Sequence, residues 1–274
     1  MQQKQLILND KTVSYWTNQS TAKEAVIFLH GHGGDHRGLL ELAVKLRGYR
    51  VILPDLPGFG HSDPLASRHD FIHYADWLDD FRTALAISRF RLVGHSFGAT
   101  IAFVYAGRYP TAVKQLTLLN PVTTSRSLTA DFGKLFFKIA AALPSPIDKF
   151  ALSNRLSVYV IDRSIFTTKS RWRRRQILNQ DYVNYALASP SALVDGYFAY
   201  FDTPLLSIAE TITCPTLLVA GTNDAIAPIQ SVEKLADTII NSELLITKKA
   251  GHLFPMERPA QAARTVRDWL KTEN

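Results

Sequence analysis

The sequence predicts an α/β protein, with a mostly parallel sheet, helices on both faces of that sheet, and an inserted α-helical cap. Short apolar runs alternate with helical stretches, and this alternation produces parallel strands joined by crossover helices. The alternation stops in the middle third of the chain and resumes after it. The 274 residues, 46% of them apolar and 20% charged, are enough for one large domain with an insertion.

The elements before the insertion are predicted from apolar runs and helical spacing. The stretch QLILNDKTVSYW indicates two short strands around an Asn-Asp turn. Buried strands are predicted in AVIFLH (25–30), at the start of RVILPDLPGFG (50–60), in FRLVGHS (90–96) and in VKQLTLLN (113–120). Helices are predicted at 38–46, 71–87 and 97–110.

The insertion is predicted because residues 122–205 carry no strong strand pattern and are broken into helical pieces by prolines. After it come the strand CPTLLVAG, a helix near 229–239, the strand SELLITK and a last helix from about Pro259 to Lys271. We therefore predict a core formed by residues 1–121 and 206–274 and a helical cap formed by residues 122–205.

Charge and composition limit the class of partner. The formal net charge is +7, and the 122–205 segment holds eleven Lys or Arg against six Asp or Glu, which indicates an acidic partner or a solvated basic face. The single cysteine, Cys214, excludes an internal disulfide framework and fits a reducing cytoplasm. No apolar run approaches the roughly 18 residues of a membrane helix, and the first residues lack a signal-peptide core. We expect a cytoplasmic protein with neither a membrane span nor a nucleic-acid partner.

The pentapeptide GHSFG (94–98) is the strongest functional pattern in the chain. A buried strand precedes it and a buried helix follows it, so Ser96 is predicted to lie at a sharp strand-to-helix turn. Such a turn holds the serine in a strained conformation with its hydroxyl above the sheet. Small residues are needed on both sides, which an idle serine in an ordinary turn does not explain. Ser96 is therefore the candidate nucleophile.

A serine hydroxyl needs a general base, and the base needs an acid that orients it. His252 lies in AGHLFPMERP, between the last predicted strand and the last helix, while Asp224 follows another predicted strand. Both positions belong to the carboxyl edge of the sheet, where Ser96 also lies and where open α/β sheets collect their sites. We predict that His252 is the base and Asp224 the orienting acid.

These stretches together resemble the α/β-hydrolase fold serine hydrolases. The resemblance rests on HGHGG (30–34), DLPGFGHSD (55–63), GHSFG (94–98), GTNDAIAP (221–228) and GHLFPMERP (251–259), whose order spans both halves of the chain. The middle third carries no family motif and has only the position of a cap. In some relatives the acid follows the strand that ends here at Asn120. An asparagine cannot be that carboxylate, which favours Asp224.

The resemblance also implies an oxyanion hole. In the family, one backbone N–H follows the HG pair and a second belongs to the residue after the nucleophile; on this sequence these are the N–H groups of His32 and Phe97. His30 would then be a structural residue under the loop.

The stretch HGHGGDH (30–36) offers a second interpretation as a zinc site, since three histidines and an aspartate lie within seven residues. The His-x-His-x-Asp-His spacing of zinc hydrolases is missed by one residue, and the later strands carry triad motifs instead of further ligands. Phosphate binding is also disfavoured because no Gly-Lys-Ser/Thr follows the glycines. We predict that the protein uses neither a metal nor a cofactor.

The cap holds an unusual stretch, KSRWRRRQILNQDYVNYAL (169–187). If Ser170 caps a helix, arginines fill its first turn and oppose the helix dipole. Such a locally unfavourable choice can mark a functional surface, although a solvated basic face remains the alternative. The functional interpretation is a binding site for an acidic substrate or an acidic acyl carrier protein, formed by Arg171, Arg173, Arg174 and Arg175.

Several functions remain open on this scaffold. The leading prediction is hydrolysis of a small-molecule carboxylic ester, thioester or lactone through an acyl-enzyme. A peptidase of the prolyl aminopeptidase kind would need an acidic site for the substrate amine, whereas this cap is net basic. A carbon–carbon bond hydrolase or lyase is a further alternative, although some such enzymes have Trp at the position of Leu253. A non-catalytic ligand receptor is the alternative from another class.

Overall fold

The sheet dominates the computed structural model, which describes residues 1–123, 128–163 and 165–272. Its strands are β1 (Gln2–Leu8), β2 (Lys11–Thr17), β3 (Ala25–Leu29), β4 (Arg50–Pro54), β5 (Phe90–His95), β6 (Val113–Leu119), β7 (Thr216–Gly221) and β8 (Ser242–Thr247). They run in the spatial order β1-β2-β4-β3-β5-β6-β7-β8. The pairs β1–β2 and β2–β4 are antiparallel, and every other neighbouring pair is parallel.

Helices of the core cover both faces of this sheet, because successive side chains of a strand point to opposite faces. The core helices are α1 (Arg37–Ala43), α2 (Phe71–Ala84), α3 (Phe97–Arg108), α10 (Ile229–Thr238), α11 (Phe254–Glu257) and α12 (Pro259–Leu270). In β3, Ile27 and Leu29 pack in the apolar cluster that contains α2 and α3, whereas Val26 and Phe28 pack in the cluster that contains α1 and α12. The predicted mostly parallel sheet with helices on both faces is confirmed.

Six further helices lie between β6 and β7 in the described part of the chain. They are α4 (Leu128–Ala141), α5 (Ile147–Ser153), α6 (Arg155–Arg163), α7 (Arg171–Leu187), α8 (Pro190–Asp202) and α9 (Leu205–Ala209). We refer to α4 to α9 as the cap. The boundary at 205 and 206 falls inside α9 and stays a prediction.

Two element ends differ from the sequence-based expectation. Helix α2 ends at Ala84 instead of residue 87, because Ala86 has a positive φ of 56° that breaks the helix. A short helix, α11, occupies part of the loop expected before Pro259, and Pro255 lies in its first turn, where proline is well tolerated.

Cys214 lies just before β7 and is a buried free thiol. Burial raises the pKa of the Cys214 thiol to about 11. None of the helices in the described part of the chain combines the length and the apolar character needed to cross a bilayer.

Candidate active site

Ser96 lies at the turn between β5 and α3, where its backbone has φ 53° and ψ −116°. A positive φ is strained for any residue with a Cβ, so the surrounding packing must hold this conformation. The Ser96 N–H donates to Leu119 O at 3.0 Å, which ties the turn to the end of β6. The predicted strand–turn–helix setting of Ser96 is therefore present.

Gly98 is needed because helix α3 starts directly against β3. A Cβ on Gly98 would overlap the carbonyl oxygen of Leu29 and lie 2.5 Å from that of His30. Both obstacles are backbone atoms of a buried strand end, which cannot rotate away as a flexible side chain could.

We expect Gly98→Ala to lower the free energy of unfolding by about 3 kcal/mol or more, because the added methyl group forces α3 away from β3. Urea unfolding followed by circular dichroism measures this loss. Gly38→Ala in α1 is the matched control, since the nearest atom to its Cβ would be Met256 Sδ at 3.9 Å. Equal unfolding midpoints for the two variants would contradict the close approach of α3 and β3.

The side chains of Ser96, His252 and Asp224 form one hydrogen-bonded chain. Ser96 Oγ lies 2.7 Å from His252 Nε2, and His252 Nδ1 lies 2.9 Å from Asp224 Oδ2. Because a carboxylate can only accept, the Nδ1–H of His252 donates to Asp224, and Nε2 is left to accept the proton of Ser96. All three residues are at least 91% buried, so water is largely excluded from these hydrogen bonds.

The carboxylate of Asp224 is held by several donors besides His252. The N–H groups of Ile226 and Ala227 each donate to Oδ1 at 2.9 Å, and Asn120 Nδ2 donates to Oδ2 at 2.8 Å. Burial alone would raise the pKa of Asp224, but attraction to His252 and these hydrogen bonds outweigh burial and lower that pKa. Asp224 is therefore ionised at neutral pH and fixed in orientation.

Asn120 also belongs to the site. The sequence analysis considered this position only for the triad acid, and excluded it because an asparagine is not a carboxylate. It follows β6 with a positive φ of 50°, and Nδ2 also approaches Gly251 O at 3.3 Å. Asn120 thus links the end of β6 to the loop that carries His252. Its position directly after a strand, at the carboxyl edge of the sheet, could have indicated that it belongs to the site.

The loop after β3 runs beside the serine. A Cβ on Gly31 would lie 3.3 Å from His95 Nδ1 and 3.5 Å from Ser96 Cβ, so the backbone of this loop packs closely against the turn. Phe97 is the first residue of α3, and its N–H therefore has no acceptor within the helix. The two N–H groups predicted to form an oxyanion hole belong to His32 in this loop and to Phe97.

The rings of His30 and His32 are engaged in protein hydrogen bonds. His30 Nδ1 donates to Gly31 O and its Nε2 accepts from the Leu56 N–H, each at 2.9 Å. His32 Nε2 donates to Leu193 O in α8 at 2.9 Å. Burial lowers the pKa of His32 to about 4, so this ring is neutral at physiological pH.

One cluster in the described part of the chain has the composition of a cation site. It consists of Asp35, His36 and Asp55, and one potential ligand atom from each lies within 4.8 Å of the others. His36 Nδ1 is hydrogen-bonded to Asp55 at 2.8 Å, and Asp35 pairs with Arg37 at 2.7 Å. These contacts already give both buried carboxylates a hydrogen-bond partner within the protein. That the protein needs no metal stays a prediction, which an activity assay after dialysis against EDTA tests.

A cavity of about 840 Å³ opens above Ser96 and His252. About half of the residues in its described lining are apolar or aromatic, and the cap contributes many of these, including Phe136, Phe137, Val160, Tyr197, Tyr200 and Phe201. The charged side chains in this lining, histidines apart, are Asp35 and Asp181, both acids. The described lining therefore suits an apolar group better than a carboxylate.

The cap is attached to the loop after β3 by polar contacts in addition to the His32–Leu193 hydrogen bond. Arg37 Nη2 donates to Asn184 Oδ1 of α7 at 2.6 Å. Tyr185 packs so closely on Gly33, whose φ is +67°, that a Cβ there would lie 2.6 Å from the tyrosine ring. The cap and this loop therefore hold each other in position.

A model of the α/β hydrolase fold matches residues 24–259, a range that includes Ser96, Asp224 and His252. The chain belongs to the α/β-hydrolase fold family.

The names of the relatives of this α/β hydrolase describe more than one reaction. It is 27% identical to the 2-hydroxy-6-oxo-6-phenylhexa-2,4-dienoate hydrolase of Burkholderia cepacia, over 96% of this chain and 94% of the relative. It is 25% identical to Lipase 3 of Moraxella sp. (strain TA144), over 97% of this chain and 84% of the relative.

Solved structures agree with the fold of this α/β hydrolase. The structure of a thermophilic esterase from Thermogutta terrifontis (malate bound) superimposes with a TM-score of 0.80 at 23% identity, covering 99% of this chain and 98% of that one. The enol-lactonase from Burkholderia xenovorans LB400 gives a TM-score of 0.85 at 18% identity, covering 98% and 100%. At these identities the likeness shows the fold alone.

The four cap arginines of this α/β hydrolase lie in the first turns of α7, which Ser170 caps by accepting from the Arg173 N–H at 3.2 Å. Arg173 pairs with Glu41 at 2.6 Å and donates to Met256 O, whereas Arg171, Arg174 and Arg175 are exposed. The cavity lining from α7 comes instead from Gln180, Asp181, Asn184 and Tyr185, further along the helix. A role of the arginines in binding stays a prediction.

Proposed function

We propose that this hydrolase cleaves carboxylic esters with an apolar acyl group, using Ser96 as nucleophile, His252 as general base and Asp224 as the acid that orients His252. The observation that carries the proposal is the hydrogen-bonded chain of these three side chains beneath a largely apolar cavity. Thioesters and lactones would react by the same chemistry.

The acylation step follows from the direction of the hydrogen bonds. The Ser96 proton moves to His252 Nε2 while Oγ attacks the ester carbonyl carbon. Negative charge develops on the carbonyl oxygen, where the N–H groups of His32 and Phe97 would stabilise it. The intermediate collapses, the alcohol leaves with the proton from His252, and the acyl group remains on Ser96.

Water then completes the cycle by the same route. His252 takes a proton from a water molecule, the hydroxide attacks the acyl carbon, and the proton returns to Ser96 Oγ as the carboxylic acid leaves. Asp224 remains ionised throughout and stabilises the imidazolium form of His252.

Carbon–carbon bond hydrolysis is the second candidate, because several relatives are named dienoate hydrolases. A dienoate carries a carboxylate, and the described cavity lining offers the acids Asp35 and Asp181 instead of a cationic partner. The same two acids would suit the amine of a peptidase substrate, although Asp35 already pairs with Arg37. These observations favour a neutral ester.

A substrate panel tests the proposal. We expect turnover of p-nitrophenyl esters to rise from acetate to longer acyl chains, because each added methylene gains about 0.8 kcal/mol when buried in the cavity. Proline p-nitroanilide and a 2-hydroxy-6-oxodienoate should react much more slowly. Cleavage of the dienoate alone would reject the ester proposal in favour of the second candidate, and no turnover of any substrate would favour a receptor.

An acyl group linked to an acidic carrier protein is a narrower form of the ester proposal. The exposed Arg171, Arg174 and Arg175 favour it, since a carrier could bind outside while its acyl chain enters the cavity. Replacing these three residues with Gln should raise KM for a carrier-linked thioester and leave p-nitrophenyl butyrate unchanged. Equal effects on both substrates would indicate a folding role for this part of α7.

A further inference from the structure

The exposed apolar side chains of this hydrolase are concentrated on one part of the cap. Eight large ones lie between residues 135 and 172, each with 44 to 72% of its surface exposed. They are Leu135, Ile139, Ile147, Phe150, Leu156, Tyr159, Val160 and Trp172. We call this set the cap apolar face. Single exposed apolar residues are ordinary, but such a concentration marks a surface that is covered by something else.

The members of this face lie on neighbouring helices. Leu135 and Ile139 are four residues apart in α4, and Leu156 and Val160 are four apart in α6, so each pair shares one side of its helix. Helix α5, which carries Phe150, packs against α4, α6 and α7. The exposed residues therefore lie on helices that pack against one another through α5.

This surface reaches the mouth of the cavity. Leu156 is 72% exposed and Val160 is 63% exposed, yet both also line the cavity above Ser96. A molecule lying against the cap apolar face would therefore be next to the entrance that an ester must pass.

Basic residues accompany the apolar ones. Lys138 directly precedes Ile139 in α4, and Lys149 directly precedes Phe150 in α5; both lysines are exposed. Arg155 is exposed at the start of α6. An exposed apolar surface edged with cations matches the chemistry of an anionic lipid surface, where acyl chains lie beneath phosphate groups.

We propose that the cap apolar face binds the surface of an anionic lipid membrane and turns the cavity entrance towards the lipids. A second copy of this chain is a poorer occupant, because its own lysines would be brought against those of the first copy. That the bound protein receives ester substrates from the membrane rests on the proposed function. The binding itself does not.

Co-sedimentation with lipid vesicles tests the binding. The vesicles are phosphatidylcholine with about 30% phosphatidylglycerol, beside pure phosphatidylcholine, at low and physiological salt. Ile139→Ser combined with Phe150→Ser should weaken partitioning about tenfold or more, since both side chains lose their burial in lipid. Ile7→Ser combined with Ile240→Ser is the control, as Ile7 is 69% and Ile240 84% exposed away from the cap.

The charge contribution is tested separately. Lys138→Gln combined with Lys149→Gln should weaken binding to the anionic vesicles about 25-fold, at about fivefold for each cation near the surface. Lys4→Gln combined with Lys234→Gln removes the same charge from β1 and α10 and should have little effect. Binding to pure phosphatidylcholine should be weak, and added salt should reduce binding to the anionic vesicles.

The outcomes separate binding from catalysis, because p-nitrophenyl butyrate turnover is measured without vesicles. Normal turnover with no vesicle binding would overturn the membrane proposal and leave the proposed function intact. Vesicle binding without ester turnover would support the membrane proposal and reject the proposed function. Equal loss of binding in the cap and control variants would also overturn the membrane proposal. So would a dimer, detected by light scattering, that only the cap variant abolishes.

Discussion

Replacement of Ser96 with alanine should abolish covalent labelling by a fluorophosphonate probe and lower kcat by roughly 10⁴- to 10⁶-fold. Ser96 Oγ is the atom that lies 2.7 Å from His252 Nε2, so its removal leaves the base without a nucleophile to activate. The residual rate should come from substrate binding and the oxyanion donors alone.

Intact-mass spectrometry gives the decisive measurement for Ser96. The unmodified protein should gain one probe per chain, and Ser88→Ala, which removes an exposed serine beside β5, should be labelled normally. A labelled Ser96→Ala protein, or one that keeps its ester turnover, would show that another residue is the nucleophile. A melting curve confirms that the variant is folded.

Asp224→Asn should lower kcat about 10⁴-fold, because the hydrogen bonds around this residue fix which way an amide would face. The N–H groups of Ile226 and Ala227 donate to Oδ1, so the amide oxygen of an asparagine would stay there. Its NH₂ group would then take the place of Oδ2, which lies 2.9 Å from His252 Nδ1 and 2.8 Å from Asn120 Nδ2, and only the longer 3.1 Å contact to Oδ1 would remain for an Nδ1–H. A donor facing Nδ1 favours the tautomer with the proton on Nε2, which cannot accept the Ser96 proton.

The Asp224 prediction is measured by steady-state kinetics together with nitrogen NMR of the His252 ring. In the neutral form of the ring, the variant should carry the proton on Nε2, whereas the unmodified protein should carry it on Nδ1. Asp237→Asn changes an exposed aspartate in α10 and should preserve both the tautomer and kcat. Normal kcat in Asp224→Asn would reject the orienting role of Asp224.

The sequence was sufficient to predict the sheet and to bring Ser96, Asp224 and His252 to the same edge. These predictions depend on buried strands, which show as apolar runs, and on the rule that parallel strands end at a common edge. Asn120 was not recognised as a donor to Asp224, because that contact joins residues 104 positions apart. No local pattern contains such a contact.

The cap was predicted less completely than the core. Sequence analysis gave weight to the arginines of α7, since their clustering is visible in the chain itself. The cap apolar face was not identified, because its residues have helical spacing that equally suits a buried core. Whether an amphipathic face is covered depends on the packing of α4, α5 and α6 together, which sequence spacing does not determine.

The buried Cys214 can be used to measure how often this protein unfolds locally or globally. With the thiol shielded beside β7 and its pKa raised to about 11, a maleimide in solution meets almost no thiolate in the folded protein. The thiol becomes reactive when the strand end separates from its neighbours. The rate of maleimide addition under native conditions therefore measures how often the region around Cys214 opens. The dependence of this rate on urea distinguishes local fraying from global unfolding. Because the chain contains one cysteine, every added maleimide reports on that single position.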